Sequence, residues 1–279
     1  MSERLSRKEV IERINEYERE GKFFLDVEED AVGKPLQPQD VKYLDRRIHT
    51  EIKRALMYRL AYSYYHKMKK KGVFLLDDVI GAHNLKNCKG GVVITCNHFN
   101  AFDSFIMQLV FDKSKRKGRM YRIIKESNYT SFDGFYGKMM RYCDTIPLSS
   151  VQSTMKNFLS ATDKALKNGN AILIYPEQSM WWNYRKPKPL KSGAFDIATR
   201  SNVPVVPVFI TMKDTEKIDE EGYKIQRHTA FVGEPIYPDE NLPRLEQRKI
   251  LSEKVFEYNK KVYEDFYKIP LVYETNKYQ

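Results

Sequence analysis

From residue 73 onward, short apolar runs alternate with longer amphipathic stretches in a regular rhythm. The runs at 73–76, 92–95, 121–124, 145–148, 171–175 and 205–210 have the length and composition of buried strands. Between them, stretches near 101–111, 134–141, 153–167 and 193–200 are expected to be helices. A further strand is expected at 223–231 and a closing amphipathic helix at 245–266. This alternation predicts an α/β sandwich with a largely parallel central sheet flanked by helices.

The first 71 residues follow a different pattern. Residues 2–20 read as a charged surface helix, and 21–39 as a connector marked by Gly33, Pro35 and Pro38. Asp40 is expected to cap a long helix running from Val41 to Lys71. There Leu44, Ile48, Ile52, Leu56, Leu60, Tyr64 and Met68 recur every fourth residue, close to the helical period. The chain is thus expected to divide into an N-terminal amphipathic helical segment, 1–71, and a larger domain, 72–279.

Charge sharpens the reading of that helix. The 48 Lys and Arg exceed the 37 Asp and Glu by 11, so an anionic partner is expected. Residues 41–71 hold ten of the basic residues and two acidic ones, with Tyr58, Tyr62, Tyr64 and Tyr65 ahead of Lys67, Lys69, Lys70 and Lys71. A basic amphipathic helix with interfacial aromatics fits an anionic membrane surface. Packing of the same apolar stripe on a core is the alternative. No apolar run approaches the roughly 18 residues needed to span a bilayer, and the polar N-terminus does not read as a signal peptide. Three cysteines without a CxxC pair suggest a reducing compartment. The expected location is therefore cytoplasmic, peripheral on the inner face of a membrane.

The candidate chemistry begins at 92–103, VVITCNHFNAFD. A β-branched run delivers Asn97 and His98 to a strand end, where open α/β sheets place ligands. Asp103 follows His98 by five residues. With His98 in the loop and Asp103 in the first helical turn, the carboxylate can fold back onto the imidazole as an orienting partner for a general base. The plainer alternative makes Asn100 a helix N-cap and His98 an ordinary loop residue. A second apolar run, AILIY, leads into Pro176-Glu177-Gln178-Ser179, and the loop MWWNYRKPKP places both tryptophans beside Arg185, Lys186 and Lys188.

The ordered blocks NHFNAFD, IPL, YPEQS, KSGA and VPVVPV, within about residues 73–212, resemble the glycerolipid acyltransferases that make phosphatidic acid from lysophosphatidic acid. The resemblance implies transfer of an acyl group from acyl-CoA or acyl-carrier protein to a lysolipid hydroxyl, with His98 as base and Asp103 orienting it. No further cofactor and no metal are implied. Asn97, Glu177, Gln178 and Ser179 become acceptor-site candidates. The chain departs from the family where two phosphate-binding arginines are expected, at Ser149-Ser150 and after Glu177-Gln178-Ser179, where Met180 stands. Neutral groups do not easily replace a forked guanidinium–phosphate contact. Either Arg185, Lys186, Lys188 and Lys191 hold the phosphate instead, or the acceptor is a lysolipid without a phosphate monoester, such as a lyso-glycolipid.

The basic charge suits an acidic carrier protein as well as anionic lipid. The alternatives of another class are nucleic-acid binding through the Trp-Trp-Arg-Lys loop, set aside because it gives His98 no role, and lipid or membrane binding without catalysis, against which the His98–Asp103 pair argues. A metal site from His83, Cys88, Cys96 and His98 matches no common zinc spacing. No serine sits in a GxSxG elbow, so direct transfer is expected rather than an acyl-enzyme.

Overall fold

The computed structural model describes residues 5–29 and 33–275; residues 2–4 of the 2–20 reading and 30–32 of the 21–39 reading lie outside the described residues. Among the described residues, seven strands form one sheet: β1 (Leu75–Ile80), β2 (Val92–Cys96), β3 (Met120–Ile124), β4 (Thr145–Pro147), β5 (Ala171–Ile174), β6 (Val205–Ile218) and β7 (Lys224–Val232). Their order is β1-β7-β6-β2-β5-β3-β4. The five strands from β6 to β4 run parallel, β7 runs against β6, and β1 pairs parallel with β7. The architecture is α/β, with a mostly parallel sheet between helices.

Helices cover both faces. In chain order they are α1 (Arg7–Arg19), α2 (Ile48–Lys70), α3 (His83–Asn87), α4 (Asp103–Ser114), α5 (Glu126–Thr130), α6 (Gly134–Tyr142), α7 (Gln152–Lys167), α8 (Gly193–Ser201) and α9 (Arg244–Tyr267). Every residue of β2 is buried, which is why this strand reads as a continuous apolar run and not an alternating one. Its side chains still alternate between two cores. Val92, Ile94 and Cys96 pack with Ile106, Met107 and Val110 of α4. Val93 packs on the other side with Phe158 of α7, Phe195 of α8 and Leu251 of α9.

Residues 5–29 and 33–71 contribute side chains that pack directly against this body. Val10 and Ile14 of α1 join Phe23, Val27, Trp181 and Tyr273 in one buried cluster. A strap through Gly33 and Leu36 crosses α5, where a Cβ on Gly33 would lie 2.5 Å from the Ser127 backbone. Leu36 donates its N–H to Glu126 (3.1 Å) and accepts from the hydroxyls of Ser149 and Thr154 (2.9 and 2.8 Å). From α2, Tyr65 stacks on Phe105 of α4 with ring centroids 5.0 Å apart.

Several element boundaries differ from the expected ones. The long helix begins at Ile48, not at Val41. Leu44 takes a left-handed φ of 53° that interrupts helical continuation, and Asp40 accepts the Gln37 N–H instead of capping. The first strand lies at 75–80, not 73–76, and includes Asp77 and Asp78. An edge strand tolerates such charge, and Arg227 of β7 pairs with Asp77. β6 runs on to Ile218 because β7 returns beside it as a hairpin, extending the pairing beyond the buried portion. The apolar stripe of α2 faces outward: Ile48, Ile52, Leu56, Leu60 and Tyr64 are 43–80% exposed, while Met57, Ala61 and Tyr65 form the buried side.

Candidate active site

The site grows out of the end of β2. Asn97 is buried and splints the strand end to β6: its side-chain amide donates to the Ile210 carbonyl (3.0 Å) and its oxygen accepts the Ile210 N–H (2.8 Å). This is a backbone-like pairing, so Asn97 serves the sheet rather than a ligand. The next residue, His98, turns out of the sheet into the loop.

One tight turn then brings the chain back. The Asn100 carbonyl accepts the Asp103 N–H (3.0 Å), and the Asn100 side chain accepts the Phe102 N–H (3.1 Å). Asn100 is therefore not the N-cap of α4; Phe102 occupies that position and Asp103 opens the helix. The Asp103 carboxylate, 1% exposed, lies 2.5 Å from His98 Nδ1 and also accepts the Phe99 N–H (3.3 Å). A carboxylate in a first helical turn is favoured by the helix dipole. With Nδ1–H donated to Asp103, the Nε2 lone pair of a neutral imidazole is available as a base. The His98 side chain is 24% exposed, so it remains accessible from solvent.

Tyr175 completes the support. Its ring stacks on the His98 ring at 4.4 Å between centroids and 22° between planes. Its hydroxyl is buried beside Asp103, and burial followed by that negative charge pushes its pKa well up, so it stays a neutral phenol. Behind it, the guanidinium of Arg122 on β3 is bound by Ser104 (3.1 Å), the Tyr58 hydroxyl (3.3 Å) and the Cys143 carbonyl (3.2 Å). Neither Tyr175 nor Arg122 was singled out from sequence. The available signals were a lone arginine inside the apolar run MYRII and an aromatic residue immediately before Pro176-Glu177.

Glu177 is buried and ties two loops together. Its carboxylate accepts the backbone N–H of His98 (3.1 Å) and that of Lys188 (3.0 Å). Ser179 is also buried; its hydroxyl donates to the Phe23 carbonyl (3.0 Å), whereas Gln178 is exposed. The proposed phosphate cations do not converge. Lys188 is fully buried, with Nζ donating to the Ser179 carbonyl (2.6 Å) and hydroxyl (2.9 Å). Burial pushes the Lys188 ammonium down and Glu177 up, and the attraction between the two opposes both shifts. Arg185 pairs with Asp214, and Lys186 with Glu18 at 2.5 Å. Of the four, Lys191 alone stays exposed without a carboxylate among the described residues, its ammonium 3.9 Å from the centroid of the Phe24 ring. Both tryptophans face the protein as well. Trp181 is fully buried and bonds the Leu25 carbonyl, while Trp182 carries the Arg7 guanidinium over its ring at 4.4 Å.

At the first departure, Ser149-Ser150, both residues are engaged by protein groups. Ser149 is bonded to Leu36, and the Ser150 N–H donates to Glu126 (3.2 Å). Among the described residues, no group of three or more His, Cys, Asp or Glu side chains could hold a metal ion.

A mostly parallel sheet with a histidine–aspartate pair at the carboxyl end of its central strand defines the class of domain. The comparisons with known proteins narrow it. Residues 78–211 match the family model described as Acyltransferase. The chain is similar to the 1-acyl-sn-glycerol-3-phosphate acyltransferase of Saccharomyces cerevisiae, 27% identical over 156 residues, which cover 54% of this chain and 48% of that protein. It is also similar to 1-acyl-sn-glycerol-3-phosphate acyltransferase BAT2, chloroplastic, of Brassica napus, 27% identical over 169 residues, covering 59% of this chain and 46% of that one. The chain thus spans about half the length of these curated relatives. The crystal structure of PlsC, the 1-acyl-sn-glycerophosphate acyltransferase of Thermotoga maritima, shares the fold: TM-score 0.50, 19% identity, 78% of this chain and 84% of that one. Residues 78–211 thus match the acyltransferase family model, and the curated proteins to which the chain is similar are 1-acyl-sn-glycerol-3-phosphate acyltransferases.

Proposed function

We propose that this protein transfers a fatty acyl group from acyl-CoA or acyl-carrier protein to the free hydroxyl of a lysophospholipid, with 1-acylglycerol-3-phosphate as the acceptor. The observation that carries this reading is the 2.5 Å contact between His98 Nδ1 and the buried Asp103 carboxylate. His98 Nε2 takes the proton of the acceptor hydroxyl as its oxygen attacks the thioester carbonyl. The tetrahedral intermediate then collapses, the carbon–sulfur bond breaks, and the departing thiolate takes the proton back from Nε2. Asp103 holds the imidazole in the required tautomer, and Tyr175 holds its plane. Glu177 acts by fixing the His98 backbone.

A second reading rests on a specific observation. Arg185, Lys186 and Lys188 are each engaged by protein groups, so the loop supports compensation for the missing arginines through Lys191 at most. An acceptor with a neutral or diester head group fits that arrangement. A bilayer surface is the proposed setting for either acceptor. The exposed stripe of α2, ending in Lys67, Lys69, Lys70 and Lys71, supports membrane association. Three free thiols support the cytoplasmic face. Among the described residues, no helix is long and apolar enough to cross a membrane.

The test is a donor-by-acceptor matrix on the purified chain and on His98→Ala. Transfer to lysophosphatidic acid that disappears in the variant is the expected result. Transfer confined to a lyso-glycolipid establishes the second reading, and no His98-dependent thioester release with any acceptor removes both.

A further inference from the structure

The far end of the sheet carries a second feature that the acyl-transfer reading leaves unused. His98 follows the carboxyl end of β2, whereas Gly118 and Arg119 precede β3, and Asn168 and Asn170 precede β5. These strands are parallel or joined through parallel neighbours, so the two groups of residues lie at opposite ends of the sheet. At this amino end are two open cavities of about 550 and 340 Å³. Leu44, Arg119 and Tyr121 line both, which makes them two lobes of one cleft.

Charge in the cleft is one-sided. Eight lysine and arginine side chains line the lobes, against three aspartates. Those aspartates are already committed. Asp144 holds Arg54 and Arg119, Asp45 holds Arg47, Asp40 accepts the Gln37 N–H, and Glu51 beside the cleft pairs with Arg46 and Arg119. Lys42, Lys53, Lys164 and Arg141 are left without a carboxylate among the described residues. Arg141 is nevertheless held in place, by the carbonyls of Tyr129 (3.2 Å) and Phe132 (3.0 Å). Lys53 lies over the Tyr142 ring, 5.3 Å from its centroid. Crowding uncompensated cations around one hollow raises the folded state's self-repulsion, and an anion bound there removes that cost. The shared wall also carries strain. Leu44 adopts a left-handed backbone, with φ 53°, which is unfavourable for a residue with a Cβ. Such conformations concentrate at ligand clamps.

We propose that this cleft is a binding site for a small anion carrying at least two phosphate groups, either free or as the head group of a phosphorylated lipid. Two lobes of like charge suit phosphates spread over a compact ring better than one phosphate. The fixed guanidinium of Arg141 supplies directional contacts, and Lys42, Lys53 and Lys164 supply mobile charge. Tyr121 and Tyr142 line the hollow between these cations. The lipid source is within reach because His49 and Lys53 of α2 line the cleft while their neighbours Ile48 and Ile52 are exposed.

The experiment uses the full chain and two probes. Inositol trisphosphate is titrated by calorimetry, and phosphatidylcholine vesicles containing phosphatidylinositol bisphosphate are sedimented beside phosphatidylserine vesicles of matched charge. The variant is Lys42→Gln with Lys164→Gln, both exposed and without ion-pair partners, so its melting temperature and its acyl transfer to micellar substrate should equal those of the parent. Loss of two charged contacts should weaken binding by about tenfold or more. Inositol trisphosphate binding that falls in the variant supports the site with a free anion as ligand. Bisphosphate-vesicle binding above the phosphatidylserine level, lost in the variant while the free probe does not bind, supports it with lipid as the source. The proposal is overturned if neither probe binds beyond matched charge, or if both bind the variant as tightly as the parent. A single Lys53→Gln variant gives the same readout from the other side of the cleft.

Discussion

A carboxylate that is buried, aimed at one ring nitrogen and anchored by a backbone N–H has little freedom except to orient that ring. His98→Ala is accordingly expected to lower acyl transfer by about 10²-fold or more, the usual loss on removing a general base. Asp103→Asn should fall nearly as far, through loss of the correct tautomer. Thermal unfolding of both variants separates this from damage to α4. A large drop in melting temperature for Asp103→Asn with turnover retained would make the residue structural. Lys188 calls for the opposite kind of outcome. Removing its ammonium in Lys188→Met leaves the Ser179 carbonyl and hydroxyl without their donor and Glu177 without a nearby cation. A loss of about 2–4 kcal/mol is expected in chemical denaturation. Unchanged stability together with a raised Michaelis constant for lysophosphatidic acid alone would instead place Lys188 on the acceptor's phosphate.

At the scale of elements, α2 carries the sharpest choice. Its two faces are both partly apolar, and burial distinguishes them: Met57, Ala61 and Tyr65 meet the body, whereas the Ile48–Tyr64 stripe meets solvent. Replacing Lys67, Lys69, Lys70 and Lys71 with glutamine should weaken sedimentation with anionic vesicles. Each lysine contributes about 1 kcal/mol near such a surface, so the loss should be largest at low salt. Ile52→Ser with Leu56→Ser should also reduce vesicle binding without lowering the melting temperature, since neither side chain is buried. A marked fall in melting temperature for that pair would show that the stripe packs on protein.

For the whole molecule, acid is the informative perturbation. The net charge of +11 rises further as carboxylates protonate, and one buried histidine adds a specific penalty. His228 lies between the rings of Phe99 and Phe74, at 5.5 and 6.1 Å, with Nδ1 on the Leu75 carbonyl and Nε2 buried without a partner. Burial lowers its pKa from the ordinary value of 6.5, although the Leu75 carbonyl and the charges of Asp77 and Asp103 pull upward. Because the folded value lies below the unfolded one, the unfolded chain takes up the proton first. Stability should therefore fall as pH drops through about 6.5 and continue to fall until the folded value is reached. In His228→Phe, which keeps the ring stack, the decline between neutral and mildly acidic pH should be shallower. Parallel melting curves for parent and variant across that range would remove His228 as a contributor.

What the sequence determined by itself was local. The runs at 92–95 and 171–175 announced buried strands, found at Val92–Cys96 and Ala171–Ile174, because β-branched and aliphatic residues pack well on a pleated surface. The five-residue step from His98 to Asp103 sufficed for their contact because one turn closes that distance. The parallel strand–helix alternation followed from the same signals. The tertiary structure alone decided the partners of charges and faces. Lys186 pairs with Glu18 across 168 residues, and His98 takes its ring support from Tyr175 and its backbone clasp from Glu177, 79 residues away. Sequence spacing can place Arg185 and Lys188 beside a crevice, but Asp214 and Ser179 decide where their charges rest. A periodic stripe likewise records which residues of α2 share a face and carries no record of what that face meets. Burial is a property of the assembled layers, so the strand order and the inward turn of Lys188 appear only when distant segments close around them.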